Sequence, residues 1–182
     1  MFYTIILALV TVAACFYSNW LAAQRAKAVN NQRIVDTVHD LFEPTSKHLV
    51  EVLLALPILF VLSTRQWSMA LRVLHLYCLL MLFRCVLVHA TIFPSIDPSC
   101  DRPFICLGNC NDYMYSGHTI LLTLSVLALV HLRLIPLSLG VAYCFLVMVL
   151  ITSARNHYFI DTLIAFFFAM VAWHYCPSTI VR

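Results

Sequence analysis

Residues 110–119, CNDYMYSGHT, gather an acid, two tyrosines, a serine, a glycine and a histidine where a polar loop meets a long apolar run. His118 is the histidine of that group. A second histidine, His157, follows 39 positions later, and Asp161 lies four residues beyond it. Two imidazoles and a carboxylate are the parts of a nucleophilic phosphoryl transfer. One imidazole attacks phosphorus while an acid keeps its other ring nitrogen protonated and oriented. The other gives a proton to the departing alkoxide and later takes one from the acceptor. His157 with Asp161 suits the first role, and His118 suits the second. Ser116, Gly117 and nearby main-chain N–H groups stand at a helix start, which favours an anion such as phosphate. Arg84, Asp112 and Arg155 complete the candidate substrate- and phosphate-binding set. Asp112 has two readings, capping the helix from the loop or orienting His118. No C-x-x-C pair and no carboxylate cluster occurs, so neither a metal nor a cofactor is expected.

The elements that must carry these residues are apolar helices. The chain has 182 residues, 63% hydrophobic and 10% charged, with a mean hydropathy of +0.91. A soluble domain has an apolar share nearer ~45–50%. The expected class is an all-α, polytopic integral membrane protein, a single domain over 1–182 with six transmembrane helices in one bundle. The predicted spans are 2–22, 47–63, 67–92, 116–134, 136–153 and 158–176. An even number of spans puts both termini on one side. The first run lacks the basic start and small-residue cleavage site of a signal peptide, so it is read as a span. A net charge of +3, scattered along the chain, points to no nucleic-acid partner.

Span arithmetic brings the histidines together. Two antiparallel helices of ~18 residues with a short turn use nearly the 39 positions between His118 and His157. Both then sit at one interface, and Asp161 is expected one helical turn deeper than His157 on the same face. Arg84 lies ~12 Å from the nearer end of its run, too deep to face lipid, so it must face the bundle as an ion-pair partner or a phosphate ligand. Residues 34–42 show helical spacing of Ile34, Val35, Val38, Leu41 and Phe42, with Asp36, Thr37, His39 and Asp40 elsewhere on the wheel, which predicts a short amphipathic helix on the bilayer surface. Tyr113, Tyr115 and Tyr158 read as interfacial anchors. Cys100, Cys106 and Cys110 share a polar loop and could pair in an oxidising lumen. The other five cysteines read as small buried hydrophobes. The Lys/Arg distribution does not settle the orientation.

On these residues the chain resembles the sphingomyelin synthase family, a branch of the type-2 phosphatidic acid phosphatase superfamily. The family pattern C-G-D-x-x-x-S-G-H-T matches residues 110–119, except that Asn111 replaces glycine. The pattern H-Y-[ST]-x-D matches His157, Tyr158 and Asp161, with Phe159 in the hydroxyl position. The stretches FRCVLVHATIFP and VDTVHDLFEP resemble two further family segments. The resemblance implies that His118, His157 and Asp161 form a catalytic triad. It implies transfer of a phospho-head group, phosphocholine-like, from a glycerophospholipid donor in the bilayer to ceramide, leaving diacylglycerol. It also implies a lumenal or extracellular site in a Golgi or plasma membrane. A lipid phosphatase using water is the first alternative. The phosphatases' K-x-x-x-x-x-x-R-P is absent, Tyr115 stands where they have proline, and Arg155 is only two residues before His157. A non-catalytic lipid-binding protein is the second. Head-group choice and oligomeric state are not readable from the chain.

Overall fold

The computed structural model describes residues 2–26, 36–91 and 115–176. Seven helices occur among them: α1 (Phe2–Ala26), α2 (Thr37–Leu41), α3 (Lys47–Ser63), α4 (Trp67–Ala90), α5 (Gly117–His131), α6 (Leu137–Ser153) and α7 (Phe159–Tyr175). The predicted helices are there, and the described residues are helical without strands, as an all-α membrane fold requires. Two stretches, Phe2–Ala22 and Trp67–Val88, are long and apolar enough to cross a membrane by length and composition. The helices α5, α6 and α7 have 15, 17 and 17 residues. At ~1.5 Å per residue they reach only about 22–26 Å, somewhat short of a ~30 Å hydrocarbon layer.

The centre of the bundle is α5. From Thr119 to Leu129 nearly every side chain of this helix is buried, whichever way it points. A helix that is apolar all round can be stable only where it has neighbours on every side. One face packs with α4 and α7 through Ile120, Leu124 and Ala128 against Leu76, Met81, Ala165 and Ala169. The other packs with α3 and α6 through Leu122 and Val126 against Leu54, Val147 and Met148. At ~25 cal/mol per Å2 of apolar surface, each such buried Leu or Ile contributes about 1.5–3 kcal/mol against a water reference. Gly140 lets α6 approach closely, since a Cβ there would meet Val126 Cγ1 at 2.8 Å.

The outside is apolar and much of the inside is polar. Leu9, Leu56, Leu59, Leu139, Leu146 and Phe167 are exposed, while Arg84, His157, Asp161 and Thr162 are buried. Such an arrangement suits lipid surroundings, where an inward polar group finds partners and an outward one would not. α1 leans on α4 along a seam of small and polar residues, Thr4, Thr11, Cys15, Ser18 and Ala22. Close packing of small residues is the usual means of holding helices together in lipid.

Three helices end alike. Arg65, Arg133 and Arg155, just past α3, α5 and α6, have φ of 55°, 57° and 60°. Glycine would usually take this left-handed position, but the chain has only three glycines. The result is three tight reversals. Pro57 sits within α3 without ending it.

Two expectations are corrected here. Tyr115 and Tyr158 are not interfacial anchors: they are 0% and 1% exposed. The Tyr115 ring packs edge-on to Phe168, and its hydroxyl donates to the Leu80 carbonyl at 2.6 Å. Of the predicted amphipathic helix only α2 forms among the described residues. Leu41 and Phe42 do face outward, but Asp36 and His39, expected on its polar side, are buried. Tyr113, Asp112 and the three loop cysteines lie outside the described residues.

Candidate active site

The helical hairpin α5–α6 and the reversal before α7 return the chain to its starting level. His118, in the first turn of α5, and His157, just ahead of α7, have ring centroids 5.9 Å apart at 66° to each other. His118 is exposed, whereas His157 is 5% exposed. The Nδ1 of His157 is 3.8 Å from Oδ2 of Asp161, whose side chain is fully buried. That separation is an ion-pair approach, longer than a hydrogen bond.

The local reason for this proximity differs from the expected one. His157 is not on the helix that carries Asp161. Arg155 turns left-handed and Tyr158 is extended at φ −71°, ψ 150°, so α7 starts only at Phe159. Asp161 is therefore the third residue of the helix, and its Oδ2 accepts the Tyr158 N–H at 3.3 Å. Its carboxylate reaches back over the helix start, where the positive end of the helix dipole stabilises a negative charge. The same oxygen thus anchors the turn that carries His157 and faces the His157 ring.

Ser116 caps α5. Its hydroxyl oxygen accepts the Thr119 N–H at 3.2 Å, and its own N–H donates to the Asp161 carbonyl at 3.3 Å. The starts of α5 and α7 are thereby joined through main chain. Beside it, a Cβ added to Gly117 would meet Met81 Sδ at 3.2 Å, tighter than most side-chain contacts. Glycine thus lets the first turn of α5 press against α4.

Arg84 reaches this end of the bundle from α4. It is 4% exposed, and its Nε donates to the Tyr115 carbonyl at 2.6 Å. The guanidinium is therefore placed one residue ahead of the helix cap. Burial pushes the Tyr115 phenol above its ordinary range despite the opposing pull of Arg84, so it stays a protonated donor. Arg155 is turned toward α2: its Nη2 donates to the carbonyls of His39 at 2.5 Å and Phe42 at 3.4 Å.

Two residues beside the site had no site role in the sequence reading. Asp36 accepts the Phe159 N–H at 2.6 Å, and His39 bonds the His157 carbonyl through Nε2 at 3.2 Å. The resemblance of VDTVHDLFEP to a family segment was the only signal in their favour. Among the described residues no three His, Cys, Asp or Glu side chains form a grouping that could hold a metal ion.

Residues 109–178 match the family described as PAP2 superfamily C-terminal. The chain is 28% identical over 120 residues to a phosphatidylinositol:ceramide inositolphosphotransferase of Trypanosoma cruzi, covering 53% of this chain and 35% of the relative. It is 29% identical over 130 residues to a phosphatidylethanolamine:ceramide ethanolaminephosphotransferase of Trypanosoma brucei brucei, covering 57% of this chain and 38% of the relative. The matches thus span little more than a third of each relative's length. The resemblance expected from the motifs holds: residues 109–178 match the PAP2 superfamily C-terminal family, and the chain is similar to ceramide phosphotransferases.

Proposed function

We propose that this chain is a six-span membrane transferase, a single domain, that moves a phospho-head group from a glycerophospholipid to ceramide and releases diacylglycerol. The observation that carries the reading is the facing of His118 and His157 at 5.9 Å with Asp161 behind His157. In the first step the Nε2 lone pair of His157 attacks phosphorus, and the bond from phosphorus to the diacylglycerol oxygen breaks. His118 gives that oxygen a proton. Asp161 balances the charge on the phosphorylated ring through Nδ1–H. In the second step His118 takes the proton of the ceramide primary hydroxyl, whose oxygen attacks phosphorus. The phosphorus–nitrogen bond then breaks, and His157 returns to its neutral form.

The setting favours an anion. The N-terminus of α5, with its cap at Ser116 and glycine at 117, presents main-chain N–H groups to a phosphate. Arg84 adds positive charge close by, and Arg155, whose Nη2 is taken up by the His39 and Phe42 carbonyls, is assigned to the same set from the turn before α7. Asp112 precedes this group in the chain and is assigned to the same phosphate-binding set. The relatives' names speak of inositol and ethanolamine head groups, so these stand beside phosphocholine as donors to be tried. In a Golgi or plasma membrane the site would open to the lumen or exterior.

The test supplies the reconstituted chain with fluorescent ceramide and phosphatidylcholine, phosphatidylethanolamine or phosphatidylinositol, and identifies the product by mass. A ceramide phospholipid is expected. Release of free phosphate from a phosphatidic acid donor would instead establish a phosphatase, and no turnover of any donor would support a lipid-binding protein. His157→Ala should reduce transfer by ~10⁴-fold or more. Normal transfer by that variant would remove His157 as nucleophile. His118→Ala should slow turnover by about 10²–10⁴-fold, and an unchanged steady-state rate would remove its proton-transfer role.

A further inference from the structure

The connection that includes α2 is tied to the reversal before α7 by a ladder of bonds between residues far apart in the chain. The Thr45 N–H donates to the Ser153 carbonyl at 3.4 Å, and the two hydroxyls meet at 2.8 Å. Arg155 Nη2 donates to the His39 and Phe42 carbonyls. The His39 ring lies 5.7 Å from that of Tyr158. Nε2 of His39 and the carbonyl of His157 are 3.2 Å apart, and a carbonyl can only accept, so Nε2 carries the proton. Asp36 uses both oxygens: Oδ1 accepts from Val38 N–H at 2.9 Å to cap α2, and Oδ2 accepts from Phe159 N–H at 2.6 Å.

The ladder meets the site at its most sensitive point. Three consecutive residues, His157, Tyr158 and Phe159, each have a main-chain group engaged by a side chain. The His157 carbonyl receives His39, the Tyr158 N–H goes to Asp161, and the Phe159 N–H goes to Asp36. The Phe159 N–H is one of the donors that a helix start leaves without an intrahelical acceptor. A part-buried N–H at such a place gains from a partner, and the charged oxygen of Asp36 makes a stronger one than a neutral group would.

We infer that Asp36 and His39 are positioning residues, which hold the main chain of residues 157–159 so that the His157 ring faces His118. This rests on the reading of His157 as the nucleophile and deepens it. The carbonyl of His157 is fixed from one side by His39 and its ring is addressed from the other by Asp161. The residue can neither rotate away nor slide along the turn. A displacement of ~1 Å at a reacting atom costs about 10²-fold in rate, so a bond to this carbonyl can act on the chemistry without touching substrate.

The test compares His39→Phe and His39→Gln in the full chain, reconstituted in lipid nanodiscs. Phe keeps a ring against Tyr158 but has no donor, while the Gln amide can still donate to the His157 carbonyl. His39→Phe should lower kcat about 10- to 100-fold with KM for ceramide within about twofold, and His39→Gln should recover most of the loss. An undiminished kcat in His39→Phe overturns the inference, as does equal loss in both variants. Asp36→Asn, which offers one acceptor oxygen where two N–H groups need one, is judged by the same split and replaces His39→Phe if that variant does not fold. A second readout keeps the inference apart from the reaction: the 15N shifts of the His157 ring in histidine-labelled protein. They should move in His39→Phe and return in His39→Gln. If the wild type transfers no head group, the proposed function falls, while unmoved shifts would by themselves overturn the positioning role.

Discussion

The two arginines of α4 that reach main-chain carbonyls do so at opposite kinds of helix end. Arg72 donates from Nη2 to the carbonyls of Trp173 and Cys176 at 2.9 and 3.3 Å, and its guanidinium carbon lies 4.2 Å from the centre of the Trp173 ring. These carbonyls close α7, where the dipole leaves partial negative charge, so the cation and the helix end suit one another. Arg84 donates to the Tyr115 carbonyl beside the start of α5, where the dipole is positive. There the cation and the helix end reinforce each other's field instead of cancelling it. One arginine completes a structural contact. On the proposed reading the other builds a place that is improved by an arriving anion, beside His118 and His157.

Breaking the comparison at the Arg84 end should have the largest effect. Arg84→Met removes both the positive field and the grip on the residue ahead of the α5 cap. Head-group transfer in proteoliposomes should fall ~10²–10³-fold, the range for losing one preorganised donor at a charged transition state. A rate within twofold of wild type would mean that the arginine serves packing alone.

The Arg72 end should respond in stability and hardly in rate. Arg72→Met gives up two charge-assisted hydrogen bonds and a cation–π contact at the close of α7, and should cost about 1–3 kcal/mol. A lowered thermal midpoint in detergent, with transfer per folded molecule kept within about twofold, is the expected pattern. A loss of rate as large as that of Arg84→Met would erase the distinction between the two ends.

The smallest effect sharpens the picture of the helix ends themselves. Arg133 holds a left-handed φ of 57° after α5 and is exposed. Arg133→Gly should relieve up to ~1 kcal/mol of backbone cost and raise the thermal midpoint slightly. A lowered midpoint would show that the charge beside the last carbonyls of α5 outweighs the strain.

Helix content was readable because it depends on runs of like residues. The predicted 136–153 became α6 at Leu137–Ser153, and the predicted 67–92 became α4 at Trp67–Ala90. The meeting of His118 and His157 was readable for a related reason: helix rise converts residue number into height, and 39 positions make one hairpin. What failed was the detail at the hairpin's return. Asp161 was expected one turn along the same helix as His157, but the left-handed Arg155 and extended Tyr158 delay the helix until Phe159. Four positions then describe a reversal and a first turn, and the carboxylate gets its place by reaching back.

Chain order carries no trace of the partners that complete this end of the molecule. Asp36 and Phe159 are 123 positions apart, and His39 and His157 are 118 apart. Asp36 and His39 read as the wet side of a surface helix because local polarity is all that a one-dimensional pattern records. Tyr115 and Tyr158 read as interfacial anchors for the same reason. Their burial follows from α5 becoming the centre of the bundle, which draws neighbours against the chain at its start. A helix is set by bonds four residues long and can be read along the chain. The seating of His157 is set by side chains from distant segments, and it exists only once α2, α5 and α7 are packed together.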